Sequence, residues 1–126
     1  MLKKYAKGLQ HIGIPTNDVE KTVRFYESLG LETYYRKQDD KFDVAFMRLG
    51  SFVIETYKGE VLERTGAIDH ITIDVTDIGA VFELVKEGGY KLLDKEIITL
   101  DFFEKGCSYF IIEGPNRERV EFNQIL

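Results

Sequence analysis

Apolar and polar positions follow the same order twice along this chain. Residues 11–31 align with residues 70–90 without a gap, at an offset of 59 residues. The matched positions include histidines, alternating isoleucines, aspartates and glycines: His11 with His70, Ile12 with Ile71, Ile14 with Ile73, Asp18 with Asp77, and Gly30 with Gly89. Such self-similarity indicates two copies of one supersecondary unit. We therefore predict a single domain, residues 1–126, built from repeat modules at about 8–57 and 68–126.

Each copy predicts the same succession of elements. A short strand of alternating apolar residues is followed by a capping residue and by an amphipathic helix that ends at glycine. The helices are predicted at about 18–28 and 77–87, and three strands follow each one, at about 32–38, 42–49 and 51–57, and at about 90–98, 107–112 and 118–124. The pattern therefore predicts an α+β protein of two βαβββ modules.

Strand alternation also sorts the polar side chains onto one face. Successive strand residues point to opposite sides, so His11 should point away from the isoleucines that pack on the helix. The same argument places Glu55, in the last strand of the first module, on the face opposite the helix. His70 and Glu121 occupy the corresponding positions of the second module. The chain has two histidines in all, His11 and His70. Each module thus offers one histidine and one glutamate on the same face.

This set of four side chains suits a metal ion. A glutamate inside the apolar run FVIETY is costly to bury unless its charge is compensated. Taken singly, each of the four is more often an ordinary solvated or hydrogen-bonded side chain, but their equivalent placement in both copies favours a shared role. Two imidazoles and two carboxylates suit one divalent metal: nickel, zinc, cobalt, manganese or iron. We therefore predict a metal site with the ligands His11, Glu55, His70 and Glu121.

Three further polar side chains share the face of the predicted ligands, namely Tyr57, Thr72 and Asn123. They are candidate substrate contacts. Side chains that merely face water would show the same pattern, so both interpretations stay open for these three residues.

Composition limits the classes of partner. With 126 residues, 44% hydrophobic and 31% charged, the chain is typical of a globular protein. Its net charge of −5 argues against a nucleic-acid partner, and no apolar run is long enough to span a membrane. The N-terminus shows no secretory signal, so we expect a cytoplasmic protein. The single cysteine, Cys107, excludes an internal disulfide and a thiolate-rich zinc site.

The whole chain resembles the vicinal oxygen chelate superfamily, also called the glyoxalase/bleomycin resistance/dioxygenase superfamily. The resemblance covers roughly residues 8–124 and rests on HIGIPTNDVEKTVRFYESLG, FVIETY, IDHITIDV and GPNRERVEF. It implies that the paired modules form a cupped mixed sheet around a metal, with the helices on the outer face. It also implies a small-molecule substrate and a homodimer.

Within that superfamily, the His/Glu/His/Glu quartet resembles glyoxalase I, the lactoylglutathione lyase. The resemblance implies a metal-dependent isomerase that acts on an enolisable carbonyl compound or a thiol hemithioacetal. A carboxylate that leaves the metal would be the general base, with Glu121 favoured and Glu55 as its counterpart. Relatives that use glutathione tend to have an arginine shortly after the first histidine and an asparagine shortly after the first glutamate. This chain has other residues at these positions: Gly13 and Pro15 after His11, and Tyr57, Lys58 and Gly59 after Glu55. The identity of the thiol therefore stays open.

Two other classes of function remain. One is a different metal-dependent reaction, either thiol transfer of the fosfomycin-resistance type or dioxygenase ring cleavage. Such enzymes use two histidines and one glutamate, and do not need Glu55. The other class is a binding protein without catalysis.

Overall fold

The computed structural model describes residues 5, 9, 11–64, 66, 68 and 70–126. The chain divides into two compact units, Met1–Val61 and Leu62–Leu126, here called the N-terminal and C-terminal units. Within these residues each unit has one helix and one mixed sheet, which places the protein in the α+β class, as the sequence predicts.

The N-terminal unit has the element order of one βαβββ module. Its elements are β1 (Ile12–Thr16), α1 (Val19–Ser28), β2 (Glu32–Gln38), β3 (Asp43–Leu49) and β4 (Phe52–Lys58). The strands lie in the order β1-β4-β3-β2. β1 pairs with β4 in parallel, whereas the other two pairs are antiparallel. The first and last strands of the module are therefore neighbours.

The C-terminal unit repeats this arrangement with one additional strand. Its elements are β5 (Ile71–Asp74), α2 (Ile78–Glu87), β6 (Lys91–Leu92), β7 (Ile98–Leu100), β8 (Cys107–Glu113) and β9 (Arg119–Ile125). The order is β5-β9-β8-β6, and β7 also pairs with β8. Again the first strand pairs in parallel with the last. The two sheets thus share the pairing that the repeat implies.

Both helices begin and end by the same local chemistry. The carboxylates of Asp18 and Asp77 accept hydrogen bonds from the backbone N–H groups of Lys21 and Ala80, at 3.0 Å each. Both helices end at glycines with positive φ, 101° at Gly30 and 71° at Gly89. Glycine adopts this conformation at little cost, and the following backbone N–H then bonds back to the last turn of each helix. The sequence predicts a cap at Asn17 or Asp18 and at Thr76 or Asp77, and the structure selects the aspartate in both helices. The predicted glycine stops are confirmed.

One predicted strand differs from the structure. Residues 90–98 do not form a continuous strand, because β6 ends at Leu92 and β7 starts at Ile98. Asp94 lies in the interruption, and its carboxylate accepts the backbone N–H of Ile111 at 2.9 Å. A side chain thus replaces a backbone carbonyl as the partner of β8 at this point, and the chain bends there. Aspartate also has low strand propensity, a signal against a continuous strand.

The core of each unit lies between its helix and one face of its sheet. In the N-terminal unit, α1 buries Val19, Val23 and Tyr26, and the sheet contributes Met47 and Ile54, which are fully buried. In the C-terminal unit, Phe82 of α2 meets Phe110 edge-to-face, with ring centroids 5.0 Å apart. Phe110 in turn lies 5.2 Å from Phe122. Each sheet therefore has its opposite face available for polar side chains.

Neither helix of the described residues, each ten residues long, is long and apolar enough to cross a membrane.

Replacing Asp18 with alanine should lower the free energy of unfolding by about 1 kcal/mol, because the N-terminal turn of α1 loses its side-chain acceptor. Asp18→Asn should stay within a few tenths of a kcal/mol of the wild type, since asparagine offers an equivalent oxygen. Urea denaturation of both variants measures the difference. Equal destabilisation by alanine and asparagine would show that the cap is not what Asp18 contributes.

Candidate functional site

In the N-terminal unit, parallel pairing brings His11 and Glu55 together. His11 directly precedes β1, and Glu55 lies on β4 opposite Gly13 of β1. The Nε2 atom of His11 lies 3.2 Å from Oε2 of Glu55. Their side chains are 29% and 28% exposed, so solvent reaches both. We call these two residues the N-terminal pair.

The surroundings of the N-terminal pair are largely aromatic. Phe46 of β3 lies opposite Glu55 in the strand register, and its ring meets the His11 ring edge-to-face, with centroids 5.4 Å apart. The Tyr57 ring lies over Gly13 and Gly59, since a Cβ atom added at either glycine would meet a ring carbon at 3.6 or 3.2 Å. The pair therefore has an apolar wall on one side and a half-exposed tyrosine on the other.

In the C-terminal unit, the equivalent pairing brings His70 and Glu121 together. His70 precedes β5, and Glu121 lies on β9 opposite Thr72 of β5. The Nε2 atom of His70 lies 3.3 Å from Oε2 of Glu121. This distance and the register match those of the N-terminal pair. We call these two residues the C-terminal pair.

The two glutamates nevertheless differ in their surroundings. The Glu121 side chain is 11% exposed, less than half the value for Glu55. Its Oε1 atom also accepts a hydrogen bond from Nδ2 of Asn123 at 2.9 Å. The sequence predicts Asn123 as a candidate substrate contact and does not predict its hydrogen bond to Glu121. The i, i+2 spacing of two polar residues on one strand face is the signal that points to it.

Each pair has the separation of two ligands of one metal ion. Bonds of about 2.0–2.1 Å from nitrogen and oxygen, at tetrahedral or octahedral angles, put two ligand atoms about 2.8–3.4 Å apart. A hydrogen bond from a protonated Nε2 has a similar length, so metal analysis has to separate the two interpretations. Among the described residues, no group of three or more His, Cys, Asp or Glu side chains forms a metal cluster. What the structure shows directly is therefore the geometry within each pair.

A cleft of about 810 Å³ opens in the N-terminal unit beside Glu55. The loop between β2 and β3 and the end of β4 form most of its wall, with Phe46 and Tyr57 as aromatic members. Lysines and aspartates of this loop and of the strand ends beside it also line the cleft: Lys37, Asp39, Asp40, Lys41 and Asp43. This cleft has the size of a small-molecule site. One of the three predicted substrate contacts, Tyr57, lines this cleft.

Two charged groups fix the elements around this cleft. Arg36 on β2 forms ion pairs with Glu20 of α1 at 2.9 Å and with Asp43 of β3 at 2.6 Å. Burial lowers the pKa of Arg36, but hydrogen bonds and the charges of both carboxylates raise it by more. The Asp39 carboxylate accepts the backbone N–H groups of Lys41 and Phe42, at 2.8 Å each. These bonds lower the pKa of Asp39 and shape the rim of the cleft.

The chain belongs to the glyoxalase/bleomycin resistance protein/dioxygenase superfamily, whose family model matches residues 10–108. The resemblance of the sequence motifs to this superfamily is thereby confirmed.

Individual relatives agree with this membership. The chain is 32% identical to the uncharacterized protein YwbC of Bacillus subtilis (strain 168), over 94% of this chain and 98% of that protein. A glyoxalase family protein from Enterococcus faecalis has the same fold, with a TM-score of 0.76 and 20% identity over 93% of this chain and 97% of that chain. The fosfomycin resistance protein FosX of Listeria monocytogenes, solved with Mn(II) and sulfate, has a TM-score of 0.75 and 16% identity over 96% of this chain and 94% of that chain.

Replacing Asp39 with alanine should destabilise the N-terminal unit at neutral pH, and the effect should shrink in acid. The backbone N–H groups favour the charged carboxylate, so its pKa in the folded state lies below the ordinary 3.8. The stabilisation is therefore complete above that ordinary value and is lost as the pH falls through the folded-state pKa.

Urea denaturation of wild type and Asp39→Ala across this pH range measures the effect. Asp40→Ala is the control, because it removes one charge from the same turn, and no hydrogen bond to the Asp40 carboxylate is present within the described residues. A difference between wild type and Asp39→Ala that stays constant down to roughly pH 2 would contradict the role given to the charged carboxylate.

Proposed function

We propose that the N-terminal and C-terminal pairs supply the four ligands of one divalent metal: His11, Glu55, His70 and Glu121. The observation that carries this proposal is the equivalence of the pairs, each with Nε2 and Oε2 atoms 3.2 or 3.3 Å apart on the strand face opposite the helix. The donors also fit the ion, because two carboxylates neutralise a dication and two imidazoles add nitrogen ligands. The Mn(II) of the structurally similar FosX is consistent with a metal of this class.

The reaction that this site supports best is a glyoxalase I-like isomerisation of an enolisable carbonyl compound or thiol hemithioacetal. When bound, the metal acts as a Lewis acid that withdraws electron density from a substrate oxygen and acidifies the adjacent C–H bond. Glu55 or Glu121 accepts the proton from that carbon, while the bonding electrons stay on the substrate. The same carboxylate then returns the proton to the neighbouring carbon, while the hydroxyl proton of the first carbon passes to the former carbonyl oxygen. No oxidant or second substrate is needed for this step.

The substrate is proposed to lie in the cleft beside Glu55. Phe46 and Tyr57 would contact its apolar part, and solvent exposure of the rim would leave room for a thiol-derived chain. Thr72 lies opposite Glu121 in the strand register and is a candidate contact on the C-terminal unit. Because Tyr57, Lys58 and Gly59 follow Glu55, we propose that the thiol partner differs from glutathione or is held by other residues.

Thiol transfer of the fosfomycin-resistance type is the second candidate. The structural similarity to the fosfomycin resistance protein FosX favours a reaction of fosfomycin over ring cleavage. The two candidates make different demands on Glu55. The isomerase uses it as a fourth ligand, whereas a site of two histidines and one glutamate functions without it. Activity of a Glu55→Gln variant towards fosfomycin, with no activity of wild type towards methylglyoxal adducts, would favour the second candidate.

The purified chain should bind one divalent metal per polypeptide. His11→Ala and His70→Ala should each remove it, because both pairs contribute to one site. Metal analysis of the dialysed variants, with circular dichroism to check folding, measures this. Stoichiometric metal in both variants would rule out the proposed ligands. If each variant instead lost half of the bound metal, the pairs would be independent sites.

Wild-type protein loaded with Ni(II), Co(II), Mn(II) or Zn(II) should isomerise methylglyoxal in the presence of at least one low-molecular-weight thiol. Replacing Glu55 or Glu121 with glutamine should lower kcat, by about 10²- to 10⁴-fold for the carboxylate that transfers the proton. Absorbance of the thioester product measures the rate with glutathione, cysteine and other thiols. Wild-type turnover by both glutamine variants would exclude the mechanism.

A further inference from the structure

The two glutamates of the proposed site are held to different degrees. Glu121 has two polar partners, since Oε2 lies 3.3 Å from His70 and Oε1 accepts a hydrogen bond from Asn123 at 2.9 Å. Within the described part of the chain, the recorded polar partner of the Glu55 side chain is His11. Glu55 is also the more exposed of the two, at 28% against 11%. The Glu121 carboxylate therefore has a polar partner at both oxygens, whereas the Glu55 carboxylate has one at a single oxygen.

The position two residues after each glutamate explains the difference. Asn123 follows Glu121 on β9, and Tyr57 occupies the equivalent position after Glu55 on β4. Residues two apart on a strand share a face, so both side chains lie beside their glutamates. Asparagine supplies a short amide donor that reaches the carboxylate. The Tyr57 ring instead packs over Gly13 and Gly59.

The orientation of the Asn123 amide serves the hydrogen bond to Glu121. Rotating the amide by 180° would place its carbonyl oxygen against a carboxylate oxygen, which is repulsive. In the observed orientation, Nδ2 donates to Glu121 and lies 3.9 Å from Sγ of Cys107, while Oδ1 is buried with no hydrogen-bond partner among the described residues. A buried acceptor without a partner is unfavourable. The hydrogen bond from Nδ2 to the Glu121 carboxylate therefore determines the orientation of the Asn123 amide.

We infer that Asn123 is a positioning residue, which holds Glu121 as a fixed metal ligand and leaves Glu55 as the carboxylate that moves and exchanges the proton with the substrate. This inference rests on the proposed metal site. Hydrogen bonds from outside the coordination sphere orient a ligand and raise metal affinity. A ligand without such a bond rotates away from the metal more easily. The general base is thus Glu55, beside the cleft of the N-terminal unit.

The first test removes the donor while keeping the side-chain shape. Asn123→Leu is nearly isosteric but offers no hydrogen bond, so its affinity for Co(II) should fall by about 10- to 100-fold. Tyr57→Phe is the matched control, because it removes the polar group at the equivalent position and should leave Co(II) affinity unchanged. Isothermal titration with Co(II) alone measures both, and thermal unfolding of the metal-free proteins shows whether each variant is folded.

The second test introduces an amide donor beside Glu55. Tyr57→Asn gives Glu55 the neighbour that Glu121 has, and thermal unfolding of the metal-free variant shows whether it is folded. Co(II) should then bind more tightly, because the mobile carboxylate becomes restrained. Glu55→Gln should lower kcat more than Glu121→Gln, whereas Glu121→Gln should weaken Co(II) binding more than Glu55→Gln.

Folded Asn123→Leu with wild-type Co(II) affinity would overturn the inference, as would equal loss of Co(II) affinity in Asn123→Leu and Tyr57→Phe. The Co(II) measurements do not depend on the substrate. If wild type binds Co(II) but isomerises nothing, the proposed reaction fails while the affinity differences still decide the role of Asn123. If wild type binds no Co(II), the metal site and this inference fail together.

Discussion

The parallel pairing of the first strand with the last strand in each unit is the interaction on which the candidate site depends. It aligns Gly13 with Glu55 and Thr72 with Glu121, so the histidine that precedes each first strand meets a glutamate far away in sequence. A parallel pair needs a crossover, which here consists of the helix with two further strands in the N-terminal unit and three in the C-terminal unit. The helix covers one face of the sheet, which directs the polar pair to the other.

A carboxylate on a sheet face needs either water or polar partners around its charge, and the two units meet this requirement differently. Glu55 is open to solvent at the edge of a cleft and lies next to an imidazole. Glu121 is nearly buried, so it needs both its imidazole and an amide donor. The same strand pairing thus holds two unequal pairs, and the second pair has an asparagine donor where the first has a tyrosine.

This inequality matters for an acid–base reaction. A site of four equivalent ligands offers no reason for one of them to move, whereas unequal restraint separates the tasks of holding a metal and transferring a proton. Resemblance to glyoxalase I favours Glu121 as the base, but the hydrogen bond from Asn123 favours Glu55. The cleft beside Glu55 agrees with the second assignment, because a base has to lie within reach of its substrate.

The sequence by itself determined the elements and the faces of this protein, because helices and strands leave periodic patterns that the repeat shows twice. The glycine stops follow from such local rules, as does the strand face predicted for the histidine and the glutamate of each module. The same rules narrow each helix cap to two neighbouring residues, Asn17 or Asp18 and Thr76 or Asp77, and the structure selects the aspartate in both. Only the tertiary structure decided which strands pair, and therefore that each histidine lies within 3.3 Å of a glutamate in its own unit. It also decided the break at Asp94 and the bond between Asn123 and Glu121. Both depend on side-chain partners across or along strands, and periodicity carries no information about them.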